Sequence, residues 1–240
     1  MRTVVIAWFL VMLTGCAASK GFDRSTLKDS LGQVTTSPDG HEIRGLKPQL
    51  PAPFTLGVYL NSTGSNDKGR SWTDEERNDL LTYGNQLKEA GVVSHVYFIS
   101  NDDVPNHRST GSVDATDGET LGDLRSGAAR YGADALLVIT DVSSVDRYNN
   151  ASALLYWTIV GAYLVPGTHS DALVMMRSSL WDVRTGYLYA TQDAEGFSRR
   201  TGPAFMTHDV DSVYGAKKMA IADFGRKLTD RLIQLNAHMR

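Results

Sequence analysis

The side chains that could do chemistry in this 240-residue chain are few and widely spaced. Paired carboxylates at strand ends can act as general acid and base, and four acids lie near the ends of predicted strands: Asp134, Asp141, Asp146 and Asp182. Acids at these places are also common turn formers, which is the simpler interpretation. The six histidines show neither helix-face nor zinc-ligand spacing. We therefore expect no metal site and no cofactor.

Sequence motifs and net charge argue against several further kinds of site. The chain contains no G-x-S-x-G elbow, P-loop or G-x-G-x-x-G fingerprint, and the loop at 114–119 lacks the alternating oxygen ligands of a calcium loop. With 24 basic and 27 acidic residues, a net charge of −3 offers no basic field for nucleic acid. We expect a protein that is not an enzyme and binds no nucleic acid; an envelope hydrolase using the strand-end acids is the alternative.

The amino terminus has the three parts of a signal peptide. Arg2 supplies a basic start, residues 4–13 form an apolar run, and Thr14 and Gly15 are small residues before Cys16. Ten residues of helix reach only about 15 Å, half the thickness of a hydrocarbon core. Residues 1–15 are therefore predicted to be a signal peptide that is removed, not a permanent span.

Leu13-Thr14-Gly15-Cys16 resembles the lipobox of bacterial lipoproteins, and Cys16 is the sole cysteine. The resemblance implies that the thiol receives a diacylglyceryl group, that a peptidase cuts before it, and that the new amino group is acylated with a fatty acid such as palmitate. It also implies the periplasmic face of the outer membrane, because Ala17 stands where an aspartate would be the retention signal. The alternative is an ordinary secretory signal with a chance cysteine.

The mature chain divides into a linker and one domain. Residues 16–53 are rich in Ser, Gly, Lys, Asp and Pro, a composition that buries little surface, and we interpret them as a lipidated tether with a reach of about 30–35 Å. A short helix at 25–31 is an option within it. Residues 54–240 form the predicted periplasmic domain.

Predicted elements in this domain alternate between strands and helices. Strands are predicted at 54–60, 92–99, 135–142, 172–181 and 187–193. One helix begins after Thr73 and ends at Gly91, a second spans 119–131 and a long amphipathic helix spans 209–235. The order predicts an α/β (α+β) fold: a mixed β-sheet of about five strands with packed helices and a long C-terminal amphipathic helix.

The stretch at 151–165 is the most apolar part of the mature chain, and its fifteen residues favour a helix over one strand. It could be a core helix. It could instead be an interaction surface for a like subunit, an envelope partner or the bilayer interface, because it is rich in residue types found at such places: Leu154, Tyr156, Trp157, Ile159 and Tyr163. In a third hypothesis the stretch enters the membrane as part of a secretion pore.

A family resemblance extends over residues 54–235. The segments Gly132-Ala133-Asp134-Ala135, 158–167 and 181–186 resemble the bacterial rhombotarget lipoproteins. More distantly, they are similar to periplasmic lipoproteins with an α/β domain like the amino-terminal part of TolB or the periplasmic part of the curli secretion channel. The resemblance implies assembly, scaffolding or interaction with an envelope protein or a second copy, and it carries over no catalytic residues.

Overall fold

The computed structural model describes residues 19–31, 50–62, 72–100, 103–104 and 118–239. Within these ranges a five-stranded sheet has the order β2-β1-β3-β4-β5. The strands are β1 (Phe54–Ser62), β2 (Val93–Ile99), β3 (Ala135–Asn149), β4 (Thr168–Asp182) and β5 (Leu188–Gly202). β1 pairs in parallel with β2 and β3, whereas β3, β4 and β5 pair antiparallel. The predicted mixed sheet is confirmed.

Five α-helices accompany the sheet in the described ranges: α1 (Arg24–Ser30), α2 (Asp74–Glu89), α3 (Gly118–Arg130), α4 (Ile159–Leu164) and α5 (Asp209–Met239). A 3-10 helix spans Ala151–Trp157. α2 begins with a capping box in which Thr73 and Glu76 bond to each other's backbone N–H groups. The long C-terminal helix is also confirmed.

The helices cover both faces of the sheet. On one face, α2 and α5 pack through Leu80, Leu87 and Phe224 against β1, β3 and β4. On the other face, Leu124 and Ala128 of α3 pack against β3 and Trp181. Because β3 is covered on both faces, all eight residues from Ala135 to Val142 are buried, as the unbroken apolar run predicts.

The helix α1 lies against the same face as α3, farther along β3 and β4. Leu31 is 3% exposed and packs with Val142, Leu173 and Met175, and Phe22 and Leu27 pack beside it. These contacts lie within the segment that composition predicts to be a tether. They hold its residues 19–31 on the sheet.

Three strands run well beyond their predicted ends. The sequence predicts that β3 ends at Val142, β4 begins at Ala172 and β5 ends at Asp193. In the structure β3 continues to Asn149, β4 begins at Thr168 and β5 continues to Gly202. The added residues are largely polar, so the end of the apolar run does not mark the end of these strands. β3, β4 and β5 pair continuously through this part. This pairing gives the backbone N–H and C=O groups their hydrogen bonds whether the side chains are polar or apolar.

The longer strands form a projection from the sheet. In the part of the chain that the structure describes, β1 pairs with β3 as far as Ser62 and Asp141, and residues 142–149, 168–175 and 195–202 continue as an extension of β3, β4 and β5. Its distal end carries the β3–β4 connection, residues 150–167, and the β5–α5 connection, residues 203–208.

Candidate functional site

Exposed apolar side chains are concentrated at the distal end of the extension. We call this surface the apolar tip and define it as residues 151–165 with Phe205 and Met206. Trp157 is 92% exposed, Ile159 80% and Leu164 71%. Other large apolar side chains exposed there are Leu154, Leu155, Val160, Tyr163, Phe205 and Met206. A soluble monomer seldom keeps so large an exposed apolar cluster, which typically marks a contact with another molecule.

The local sequence explains why the tip is not one helix. The side chain of Asn150 caps the 3-10 helix by accepting from the Ser152 N–H at 2.9 Å. Thr158 then leaves the helical conformation with ψ 139° and caps α4, its Oγ1 accepting from Gly161 N–H at 2.9 Å. The buried residues of these two short helices are Gly161 and Ala162. The predicted single helix is therefore wrong, and so is its interpretation as a core helix.

Tyr156 fastens the tip to the end of the sheet. Its ring is half-buried, unlike its exposed neighbours. Its hydroxyl accepts from the Gly167 N–H at 2.8 Å and lies 3.1 Å from Thr168 Oγ1, at the start of β4. Of the five residues predicted as an interaction surface, Tyr156 thus serves attachment, while Leu154, Trp157, Ile159 and Tyr163 face outward.

The β5–α5 connection contributes a part of the tip that sequence reasoning missed. The rings of Tyr163 and Phe205 are stacked, with centroids 4.8 Å apart, which brings the two connections together. Phe205 and Met206 are 61% and 62% exposed. Their signal in the sequence was weak, since two apolar residues in a turn have no period, and only the pairing of β4 with β5 places them beside Tyr163.

The four strand-end acids are dispersed, and each one has a structural hydrogen bond or ion pair. Asp134 Oδ2 accepts from the Thr55 N–H at 2.9 Å and so joins β1 to the start of β3. Asp182 accepts from the N–H groups of Arg184 and Thr185 and from the Tyr189 hydroxyl. Burial alone would raise the pKa of Asp182, but these hydrogen bonds to the charged form hold its pKa below the ordinary value.

Asp146 and Asp141 lie at different levels of β3. Asp146 Oδ2 accepts from the Ser19 hydroxyl at 2.6 Å and from the Gly21 N–H at 3.0 Å. The hydrogen bond from Ser19 lowers the pKa of Asp146, against a smaller opposing effect of desolvation. Asp141 instead forms a buried ion pair with Lys217 at 3.3 Å. This distribution favours the turn-forming and structural interpretation of the acids.

Other predicted sites can be located only in part. Cys16 and residues 114–117 lie outside the described residues. Within the described ranges, no group of three or more His, Cys, Asp or Glu residues is placed to hold a metal ion. No helix within residues 19–31, 72–100 or 118–239 combines the length and apolar character needed to cross a membrane.

No protein-family model and no curated protein matches the chain. Among solved structures it is similar to the C-terminal domain of LpoB from Salmonella enterica, with 16% identity, a TM-score of 0.30 and coverage of 60% of this chain and 82% of that one.

Two further solved structures are similar to this chain. Lipoprotein GNA1162 from Neisseria meningitidis shows 15% identity, a TM-score of 0.33 and coverage of 74% and 99%. The PelC dodecamer from Paraburkholderia phytofirmans shows 12% identity, a TM-score of 0.31 and coverage of 76% and 93%. At these low values the similarity carries no argument about function.

Proposed function

We propose that this protein is a lipid-anchored protein of the bacterial envelope that works through non-covalent contacts in assembly or scaffolding, and not as an enzyme. The observation that carries the proposal is the apolar tip. Its side chains are held outward on a capped, hydrogen-bonded framework, so their exposure is built into the fold. Exposing side chains such as Trp157 and Ile159 costs free energy that contact with another molecule would recover.

The lipid anchor in this proposal rests on Cys16. The sequence Leu13-Thr14-Gly15-Cys16 has the residue types that lipoprotein processing needs, and two or three acyl chains bind a membrane durably where one does not. We place the mature protein on the periplasmic face of the outer membrane. The engagement of Asp134, Asp146 and Asp182 in structural hydrogen bonds supports a non-enzymatic role.

Two measurements test this proposal. Labelled palmitate should be incorporated by the wild-type protein and lost in Cys16→Ser; equal labelling of both proteins would contradict the anchor. A photo-crosslinking amino acid at position 157 should give covalent products with a neighbouring protein or with lipid in intact cells. The matched control is position 219, because Met219 is an apolar side chain on α5 that is 58% exposed. Equal products at the two positions would contradict a contact role for the tip.

A further inference from the structure

The described chain begins beside the distal part of the extension. Ser19 Oγ donates to Asp146 Oδ2 at 2.6 Å, and the Gly21 N–H donates to the same oxygen at 3.0 Å. Asp146 lies three residues before the end of β3 at Asn149. With a rise of about 3.3 Å per residue, Ser19 is held within about 10 Å of the last rung, measured along the strand.

From Ser19 the chain runs away from the tip. Phe22 packs edge-on against Phe197, which lies on the rung of Leu173. Arg24 forms an ion pair with Glu195 at 3.3 Å, and Glu195 lies two residues farther from the tip than Phe197 along β5. The direction of residues 19–24 therefore places the amino-terminal end of the segment toward the tip.

Covalent geometry limits where Cys16 can be. It precedes Ser19 by three residues, and an extended chain spans at most about 3.6 Å per residue, so the two Cα atoms are within about 11 Å. A flexible tether over residues 16–53 would hold the domain clear of the headgroups, but the Ser19–Asp146 contact leaves only two residues, Ala17 and Ala18, between Ser19 on the sheet and the cysteine. The acyl chains then start beside the extension.

We propose that the apolar tip is seated in the interfacial layer of the same bilayer that holds the Cys16 lipid, so that the protein has a second, non-covalent membrane contact. The inference rests on the proposed lipid anchor and commits the tip to a lipid surface. The short reach of Ser19 to Cys16 carries it, because the anchor and the tip are at the same end of the molecule.

The chemistry of the tip fits this layer. Residues 151–165 contain no charged side chain, and tryptophan and tyrosine are enriched at the boundary between lipid and water. The charged side chains on the extension nearest to the tip are Arg147 and Arg200, and one residue farther away lie Arg199, Asp146 and Asp171. Of these arginines, Arg147 pairs with Asp209 and Arg199 with Asp171. Interfacial segments bury their apolar side to a depth of about 5–10 Å, a depth that brings these arginines close to the headgroups.

The fluorescence of Trp157 can report whether the tip enters the bilayer. Of the four tryptophans, Trp8 belongs to the predicted signal peptide, and Trp72 and Trp181 are each 5% exposed, whereas Trp157 is 92% exposed. Lipidated protein, verified by mass, would be reconstituted into phosphatidylethanolamine–phosphatidylglycerol vesicles with and without brominated acyl chains. We expect the emission to shift to shorter wavelength and to be quenched by bromine, and both effects to vanish in Trp157→Phe.

A triple variant tests the energetics without the anchor. In the Cys16→Ser background, Trp157→Ser, Ile159→Ser and Leu164→Ser together should lower vesicle partitioning by at least about ten-fold, because each removes apolar surface from the interface. Met219→Ser in the same background is the control and should leave partitioning unchanged.

The outcomes separate this inference from the proposed function. Failure of palmitate labelling overturns the anchor itself. Labelled, vesicle-bound protein whose Trp157 emission is neither shifted nor quenched overturns the inference while the anchor stands. Tip-dependent dimers in sedimentation, again without quenching, would assign the tip to a second copy and also overturn it.

Discussion

The ammonium group of Lys217 lies 3.8 Å from the ring centroid of Trp72, inside the protein. The same nitrogen is 3.2 Å from Glu76 Oε2 and 3.3 Å from Asp141 Oδ2, and the lysine side chain is 3% exposed. One cation thus joins α5 to α2 and β3. Since the charge is paired with two carboxylates and an aromatic face, its burial is compensated.

Replacing Lys217 by methionine should destabilise the protein strongly. Methionine keeps much of the volume but leaves Glu76 and Asp141 buried without their cation, which costs about 3–5 kcal/mol in comparable cases. Urea unfolding followed by circular dichroism would measure the free energy. The matched control is Lys218→Met, which breaks an exposed pair with Glu75 at 3.4 Å and should cost less than about 1 kcal/mol. Similar losses in both variants would contradict a central role for Lys217.

The capping box of α2 gives a second prediction. Thr73 Oγ1 accepts from the Glu76 N–H at 3.3 Å, and Glu76 Oε2 accepts from the Thr73 N–H at 2.9 Å. Thr73→Ala removes one half of this exchange and should lower the free energy of unfolding by about 1 kcal/mol. Thr82→Ala, at an exposed position within the same helix, should change it by less than about 0.5 kcal/mol. Thermal or urea denaturation of the two variants would rank them, and the opposite order would refute the assignment.

Two glycines should respond to alanine in opposite directions. A Cβ at Gly196 would collide with the carbonyl oxygen of Ala216 and the amide nitrogen of Ala220, both in the backbone of α5, whereas a Cβ at Gly122 in α3 meets nothing within 4 Å. Gly196→Ala should therefore cost about 2–3 kcal/mol by forcing α5 off β5. Gly122→Ala should stabilise the protein by up to about 1 kcal/mol. Equal unfolding midpoints would disprove the close contact of α5 and β5.

The Ser19–Asp146 contact should weaken in acid. The hydrogen bond from Ser19 lowers the pKa of Asp146 from its ordinary value of 3.8. A lowered pKa in the folded state means that the contact contributes its full stability above 3.8 and loses it as the pH falls through the folded value. The amide NMR signal of Gly21, whose N–H donates to Asp146, should titrate with a midpoint below 3.8. A midpoint above that value would contradict the direction, and Asp146→Asn should abolish the titration.

Much of the sheet could be predicted because its signals are local. The unbroken apolar run from Ala135 to Val142 indicated a strand covered on both faces, and Thr73 marked the start of α2. The extension could not be predicted in the same way. Residues 143–149 are held by pairing with β4, a partner about 25 residues away, so their polar side chains gave no sign of a strand.

The contacts that define the candidate site depend on still longer separations. Ser19 and Asp146 are 127 residues apart, and Tyr163 meets Phe205 only because β4 and β5 return to the same end of the sheet. The apolar character of 151–165 was visible in the sequence, but its exposure was not, since composition alone fits a buried helix equally well. In the structure the segment lies beyond Asn149 and Thr168, the last paired residues of β3 and β4, and is therefore exposed and not buried.

The length of β3 has a consequence for how the proposed membrane-bound protein would stand. Fifteen residues of strand extend about 50 Å, and one end of that strand leads into the tip. With the tip at the lipid, the β4–β5 turn at 183–187 and the amino-terminal ends of β1 and β2 would be carried to the opposite pole of the molecule. Among the described residues, this end of the sheet would face the periplasm, away from the lipid.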